Sequence, residues 1–380
     1  MKNNKVVINT KNDVRDYAEE IGLPIFGVAA PDPLLHLEEL LKKRKQEGLE
    51  SPFEKRWQPD ERCRPESVLP SVKSIICVGM PYYPFPTKTY PALWGIARFA
   101  WGEDYHILLK NKLELLAAFL VARCGPGVEY AATVDAVPLV ERALAYRAGL
   151  GWYGKNNLLI NPKYGSWFVL GELLTNIPLE PDTSIEGDCG ACILCLEACP
   201  TNALAGPYEL DSSRCISCLT QIKSPVPAKL REKVGKAMYG CDICQEVCPR
   251  NRQLSAGGEG NMGLEPEDFN GESLLGLFEV TNAQFREKYG RAAFSFAGKE
   301  LLQRNAILAL GVNDGRSYVT ALGKALTAQA PQVRSTAAWA LGHIGGQTAG
   351  ELLQEALVFE KDEEVRKEIS LAKIRQKSLK

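Results

Sequence analysis

Histidine is scarce in this chain. His36, His106 and His343 are the only three in 380 residues, so a mechanism built on several imidazoles has little to draw on. An excess of one charge sign is also missing. Forty-five basic and 46 acidic side chains leave a net charge of −1, which removes the global positive field that would announce a nucleic-acid partner. No apolar run approaches the roughly 20 residues that cross a bilayer, so no membrane partner is expected. No secretory segment is seen at the start. The chain is also far longer than the small secreted scaffolds that cysteines staple together. A reducing cytoplasm is the expected location, and the length allows two or three domains.

Cysteine, in contrast, is plentiful and patterned. Cys189-x-x-Cys192-x-x-Cys195-x-x-x-Cys199-Pro200 is echoed some fifty residues on by Cys241-x-x-Cys244-x-x-x-Cys248-Pro249. Thiolates three residues apart on a tight loop reach three irons of one cube, and the cysteine before proline is carried to the neighbouring cube. Zinc ribbons use separated Cys-x-x-Cys pairs instead. The spacing predicts two [4Fe–4S] clusters. Two cubes need eight thiolates, and the two motifs supply seven, because the position matching Cys189 is Met238. The eighth is expected from Arg214-Cys215-Ile216-Ser217-Cys218, with an insertion from about Lys223 to Tyr239 splitting the second motif. One cluster is assigned Cys189, Cys192, Cys195 and Cys248, the other Cys199, Cys215, Cys241 and Cys244, with Cys218 as the rival of Cys215. Cys63, Cys77 and Cys124 read as ordinary thiols.

The organisation is α+β. Residues 1–178 mix strands and helices: a buried strand over Ser74–Met80, a helix over Tyr105–Ala122, a strand over Val128–Val134 and a short helix over Pro138–Ala148 that stops at Gly149. Residues 179–252 hold the clusters, and 253–298 read as a Gly- and acid-rich linker. In 299–380 the segments at Arg304, Val333-Arg334 and Val365-Arg366 repeat one helix, with arginines 30 and then 32 residues apart. That period suggests stacked HEAT-like pairs, which build binding surfaces; a plain helical bundle is the alternative.

Three other features are ambiguous by themselves. Gly149-Leu-Gly151-Trp-Tyr-Gly154 matches a dinucleotide fingerprint but follows a helix rather than a strand, so a Rossmann site is rejected. Asp135, at a strand end, suits an acid–base role or a turn; Asp104 suits a pocket or a helix cap. Between Arg214 and Arg252 eight basic residues face three acidic ones. That local excess of five fits a polyanion docked over the clusters, or an ordinary solvated face. Lys42-Lys43-Arg44-Lys45 reads as a solvated helix.

Taken together, Asp135-Ala-Val-Pro-Leu-Val-Glu-Arg142, Ala148-Gly-Leu-Gly-Trp-Tyr-Gly-Lys-Asn156, Gly165-Ser-Trp-Phe168, Gly171-Glu-Leu-Leu174, Arg214-Cys-Ile-Ser217, Tyr239-Gly-Cys-Asp242 and Arg304-Asn-Ala-Ile-Leu-Ala309 resemble the epoxyqueuosine reductases, cobalamin-dependent relatives of the reductive dehalogenases. The resemblance runs from about residue 10 to the end. It implies a nitroreductase-like corrin-binding domain, a ferredoxin-like double-cubane domain and an all-α HEAT-like C-terminal domain. The implied reaction removes the epoxide oxygen of epoxyqueuosine at the wobble position of tRNA, taking two electrons and two protons and releasing queuosine and water. The implied cofactors are two [4Fe–4S] clusters and base-off cobalamin. The Asp-x-His-x-x-Gly motif of histidine-ligated cobalamin proteins is absent, which agrees. By motif match Asp135 is the proton donor beside the corrin. Arg98, Leu159, Leu170, Ser217 and the Cys241–Asp242 backbone touch the corrin, as does Arg56 on a weaker match, while Gln221 and Lys223 contact tRNA. Where the family has an aromatic this chain has Cys218, which favours Cys215 as the ligand. The implied partners are tRNA and an unidentified low-potential electron donor, with the chain acting as a monomer. A corrinoid reductase of small molecules and a non-enzymatic electron carrier are the rival readings.

Overall fold

Residues 74–81 are apolar on both faces, and such a run belongs inside a sheet covered on both sides. The computed structural model describes residues 10–82, 95–235, 237–252, 271–313 and 315–378. In it Ser74–Pro81 is a strand buried along its whole length. It is central in a four-stranded sheet of order Ile25–Ala29, Ser74–Pro81, Phe168–Thr175, Tyr130–Thr133, every neighbouring pair antiparallel. The helix Tyr105–Cys124 covers one face and buries Leu109, Leu113, Leu116 and Leu120, the leucines whose helical spacing announced it. Leu139, Leu144, Cys63 and Cys77 belong to the separate apolar cluster on the other face.

Two elements are shorter than the sequence suggested. The strand expected over Val128–Val134 is Tyr130–Thr133, and the helix expected to open at Pro138 is Glu141–Arg147. The reason lies between them. Asp135 takes a left-handed φ of 53°, and Leu139 N donates back to Val137 O at 2.8 Å. Pro138 therefore sits inside a tight turn, and the helical bonds begin only with Ala143 N to Val140 O. The stop at Gly149 holds: φ is 75°, and a Cβ there would lie 2.5 Å from Thr183 O.

In the middle segment the short helices Leu194–Ala198 and Ile243–Glu246 each carry part of a cysteine motif. They are tied to the first domain by a buried polar knot. Ser166 N donates to Asn251 Oδ1 at 2.8 Å, and Ser166 Oγ donates to Gln245 Oε1 at 2.9 Å. The stretch read as a linker is helical from Gly271: Gly271–Glu279 and Asn282–Tyr289 are followed by a single turn at Ala293–Ala297. Phe285, Tyr289 and Phe294 are buried, so residues 271–298 pack as part of the body. Residues 253–270 lie outside the described ones.

The tail is a stack of helices, and the repeated small residues explain its spacing. Lys299–Val312, Pro331–Ile344 and Glu363–Ser378 form the inner layer, with Val319–Ala325 and Gln347–Phe359 outside. A Cβ on Gly311 would lie 2.8 Å from Ala340 Cβ, and one on Gly342 would lie 2.6 Å from Ala372 Cα. Successive inner helices thus touch backbone to backbone where the Ala-Leu-Gly segments meet. The repeated arginine also has one job. Arg366 donates to Leu357 O and Glu360 O, and Arg334 to Ala328 O and Gln329 O. Each satisfies carbonyls left open after the preceding outer helix. Arg304 does the same for Leu219 O, Ile222 O and Ser224 O at 2.7–2.8 Å. Those carbonyls end the helix Ile216–Gln221, so a helix of the cysteine segment stands where a repeat's outer helix would stand.

Arg304 is 1% exposed. Arg304→Ala strands three carbonyls, and at about 1–3 kcal/mol for each buried unsatisfied group it is expected to lower the melting temperature sharply and release iron. Arg366→Ala, on an exposed side chain, is expected to cost less than about 1 kcal/mol. Thermal melts with iron analysis on both variants check this.

Candidate active site and cluster module

The turn that displaces Pro138 presents Asp135 at the end of the Tyr130–Thr133 strand, its side chain 46% exposed. The start of the Tyr105–Cys124 helix faces it. Asp104 caps that helix by accepting from His106 N at 3.0 Å, as one of its two readings had it. The same carboxylate meets His106 Nδ1 at 2.6 Å, and His106 Nε2 lies 3.6 Å from Asp135 Oδ2. Tyr105 Oη donates to Asp135 Oδ2 at 2.5 Å. Burial works against the charged imidazole, but the hydrogen bond and charge of Asp104, with the charge of Asp135, outweigh it and raise the His106 pKa. Two further acids stand behind. Glu141 Oε1 accepts from Asp135 N at 2.8 Å, and Glu172, fully buried, pairs in register with Thr133. Burial, then the charge of Asp135, pushes both carboxyls well up. Sequence reading gave no role to Glu141 or Glu172. The alternation of the Phe168–Thr175 strand, with Glu172 among apolar neighbours, was the available signal for the last.

The cysteine segment approaches through Arg98 and Asp242, next to Phe99, whose ring lies 6.0 Å from that of Tyr105. Asp242 Oδ2 accepts from Arg98 N at 2.7 Å, and the guanidinium lies 3.0 Å from Glu246 Oε1 and 3.6 Å from Asp242. Arg98 also stacks 4.7 Å over the Trp167 ring. Burial pushes Asp242 up to about 6 against the pull of Arg98. Leu159 is buried on the two-residue strand facing Trp152–Tyr153, and Leu170 is half-buried on the central sheet opposite Gly79. Ser217 accepts from Gln221 Nε2, at its carbonyl at 2.9 Å and at its Oγ at 3.0 Å. Arg56 stands apart from these: it is exposed, lies 4.2 Å over Trp57 and donates to Phe53 O.

The nine cysteines of the module fall into two neighbourhoods. Burial raises Cys195 and Cys248; Cys195 also feels the charges of Cys189 and Cys248, and Cys248 those of Cys189 and Cys192. Burial pushes Cys241 up to about 12, helped by Cys215 and Cys199, and raises Cys244, which also feels Cys241 and Cys215. Cys244 feels Cys195 too, so the two groups adjoin. All nine are free thiols, and their Cys-x-x-Cys spacing fits iron rather than disulfides, each cubane needing four thiolates. Cys218 is 8% exposed on the helix that Cys215 caps, and burial pushes it up to about 12.

The basic insertion divides. Lys223, Lys229 and Lys233 are exposed. Arg231 is not available to a polyanion. It is buried, with Glu368 Oε1 2.8 Å from its Nη1, Val226 O accepting from its Nε at 3.0 Å and the Trp339 ring 5.7 Å away. It ties the insertion to the last helix, a correction to its reading as part of a docking field. Its charge is neutralised because the helical tail packs over it.

Comparison with known proteins identifies this arrangement. A family model described as epoxyqueuosine reductase QueG, DUF1730, matches residues 62–136, a 4Fe-4S double cluster binding domain matches 188–251, and HEAT repeats match 296–372. The epoxyqueuosine reductase of Bacillus cereus is 40% identical over 369 residues, 95% of this chain and 96% of that one. The Bacillus subtilis enzyme is 40% identical over 371 residues, 96% and 95% of the two chains. The chain belongs to the epoxyqueuosine reductase family. A crystal structure of an epoxyqueuosine reductase superposes with a TM-score of 0.90 at 38% identity, covering 97% of this chain and 99% of that one. One with an epoxyqueuosine-modified tRNA-Tyr stem loop gives 0.87 at 38%, over the same shares. The Bacillus subtilis reductase with its catalytic loop swung out of the active site gives 0.85 at 37%, covering 96% and 98%. The HEAT reading therefore prevails over the plain bundle, and the middle segment is an iron–sulfur domain. No helix among the described residues is long and apolar enough to cross a membrane.

The thiol neighbourhoods generate a direct test of the ligand set. Cys215→Ala is expected to retain about half the iron of the wild type, and Cys218→Ala all of it, because each cubane uses four thiolates. Iron and acid-labile sulfide analysis of the two purified variants decides between them.

Proposed function

We propose that this chain reduces epoxyqueuosine to queuosine at the wobble position of tRNA, with Asp135 as the proton donor. The observation that carries it is the chain of contacts from Asp135 through Tyr105 to Phe99, whose ring lies 6.0 Å from that of Tyr105, and so to the neighbouring Arg98, which binds Asp242 of the iron–sulfur domain: an acid linked to a source of electrons. Family membership and the relative bound to a modified tRNA stem loop support the substrate.

Cys189, Cys192, Cys195 and Cys248 would hold one cluster, and Cys199, Cys215, Cys241 and Cys244 the other. Arg98, Leu159, Leu170, Ser217 and the Cys241–Asp242 backbone would hold cobalamin, with Arg56 at the periphery. When bound, these groups supply low-potential electrons through one-electron cluster chemistry and a strongly reducing corrin. The histidines fit a corrin without a histidine ligand, and the base-off form is proposed with it. His106 is committed to Asp104 and Asp135, His343 stacks on Trp339 in the tail, and His36 is exposed on a surface helix. The reaction breaks both C–O bonds of the epoxide, forms a C=C bond, consumes two electrons and two protons, and releases water. Asp135 protonates the departing oxygen. Tyr105 and His106 hold its carboxyl in place, at the left-handed turn where φ is 53°.

Gln221 and Lys223 would meet the RNA, and an anticodon loop suits such a site because an unpaired base can be splayed into a pocket while phosphates stay outside. The chain would act as a cytoplasmic monomer fed by an unidentified low-potential donor.

The decisive experiment incubates the cluster- and cobalamin-loaded protein with epoxyqueuosine-bearing tRNA and a reductant. Nucleoside mass spectrometry should show the loss of one oxygen, and no conversion would overturn the proposal. Asp135→Asn should keep both clusters yet slow conversion by roughly two to four orders of magnitude. Lys223→Ala with Lys229→Ala should weaken tRNA binding and reduce its log–log salt slope by about 0.7–0.9 for each phosphate no longer neutralised. Arg231→Ala should instead lower thermal stability and leave the slope unchanged.

A further inference from the structure

Two carboxyls behind Asp135 have no part in the single protonation described above. Glu172 sits mid-strand with no exposure, opposite Cys77 on one neighbouring strand and Thr133 on the other. Among the described residues neither of its carboxyl oxygens has a hydrogen-bond partner, nor does the buried Thr133 Oγ1. The charged and titratable groups around this pocket are few. Tyr105 and His106 on the long helix face Asp135. The cations nearest in the chain are engaged elsewhere: Lys110 with Ala132 O and Glu114, Arg142 with Asn157 O, and Arg147 with Ala30 O and Asp32 O. An ionised carboxylate buried without donor or cation is costly, so Glu172 is held as the neutral acid.

Glu141 stands between this buried acid and the exposed one. Its Oε1 accepts from Asp135 N at 2.8 Å, which sets its carboxyl beside that of Asp135.

We infer that Glu141, backed by the neutral Glu172, stores the proton that reloads Asp135 between the two protonations of one turnover. The inference rests on the proposed epoxide reduction. Asp135 gives its proton to the oxygen as the first C–O bond breaks, and the Glu141 O–H then passes a proton to the Asp135 carboxylate. Asp135 gives that second proton as the other C–O bond breaks and water leaves. The two electrons come from the low-potential donor, and both carboxyls are reprotonated from solvent through the half-exposed Asp135 once product departs. Glu141 is thus a positioning residue acting through Asp135, and the bound RNA, which would shut solvent out, is what makes a local store useful. Burial, with the charge of Asp135, raises both Glu141 and Glu172, in keeping with protons held at neutral pH. The sign is the reverse of the usual carboxylate: the folded state binds more protons than the unfolded one. Stability is therefore lost as pH rises above the ordinary carboxylate range toward the raised values.

Glu141→Gln tests this, because Gln keeps a carbonyl oxygen for Asp135 N but has no proton to give. In the loaded enzyme the wild type should convert epoxyqueuosine tRNA, and Glu141→Gln should be slowed about tenfold or more. That loss should deepen as pH rises, with KM for the RNA unchanged and partial recovery in Glu141→Asp. Infrared difference spectra of the cluster-loaded protein, which need no turnover, should show a protonated-carboxyl band at neutral pH that Glu141→Gln and Glu172→Gln each diminish. A Glu141→Gln pH–rate profile parallel to that of the wild type, or a band that neither variant changes, would overturn the store. If the wild type does not convert the RNA, the functional reading fails, and the band alone decides whether the protons are held. Should Glu141→Gln lose its clusters, the band in Glu172→Gln carries the decision.

Discussion

The clasp of Arg304 and Asn305 on the cysteine segment is the contact through which the three parts of the chain act as one body. Arg304 takes the carbonyls of Leu219, Ile222 and Ser224, and Asn305 Nδ2 takes those of Thr220 and Met238 at 2.8 and 2.6 Å. Those acceptors lie at both ends of the insertion that splits the second motif, so one pair of side chains holds Cys215 and Cys241 in one frame. From there the connection runs by backbone. Gly240 N donates to Thr220 Oγ1, Ala97 N donates to Tyr239 O, and Arg98 N donates to Asp242. Gly240, at φ 74°, has no room for a side chain: a Cβ would lie 2.5 Å from Ala97 Cβ. The energetics explain why the clasp is sensitive rather than merely strong. Hydrogen bonds to a charged group contribute about 1.5–3 kcal/mol each, while burying the guanidinium costs several. The net is modest, but losing the cation strands three carbonyls, with Asn305 already committed to two others. Burial pushes Arg304 down to about 10, still a cation at neutral pH.

Around Asp135 the charges are arranged in the opposite spirit, with acids gathered about one imidazole. Tyr105 and His106 hold the exposed face of the carboxyl, and Glu141 and Glu172 lie behind it. A carboxyl held on one side by a phenol and an imidazole and backed by two further acids is positioned for proton transfer, which is what a proton donor requires. The left-handed backbone at Asp135 belongs to the same arrangement. A strained residue at a loop is kept where the position matters more than the roughly 1–3 kcal/mol it costs.

Much of this was legible from residue type and spacing. The buried strand, the leucine-lined helix, the two cysteine motifs and the arginine repeat each carry a periodicity that local physics dictates. What was not legible needed contacts distant in sequence. Pro138 reads as a helix start, and only the return of Leu139 N to Val137 O converts it into a turn. Arg231 reads as one more positive charge in a basic run, and only the packing of Glu368 and Trp339, more than a hundred residues away, makes it structural. Composition marked 253–298 as a linker because its first half is Gly- and acid-rich, while Phe285, Tyr289 and Phe294 in its second half are buried. Glu172 was hidden for a simpler reason: a lone acid in an apolar strand gives no sign of what stands across the sheet.

The repeat arginines point to why a helical tail accompanies an iron–sulfur domain at all. In Arg334 and Arg366 the guanidinium closes off the carbonyls that follow an outer helix of the stack. A solenoid's first repeat lacks a predecessor and normally needs a polar cap. Here the helix Ile216–Gln221 fills that place, so the stack begins inside the cysteine segment rather than after it. The arrangement solves two problems together. The stack gains a predecessor for its first inner helix, and a six-residue helix too short to be stable alone gains the packing that fixes Cys215 and Ser217. The stack, which reads from its sequence as a separate binding module, is by this contact part of the scaffold of the redox site.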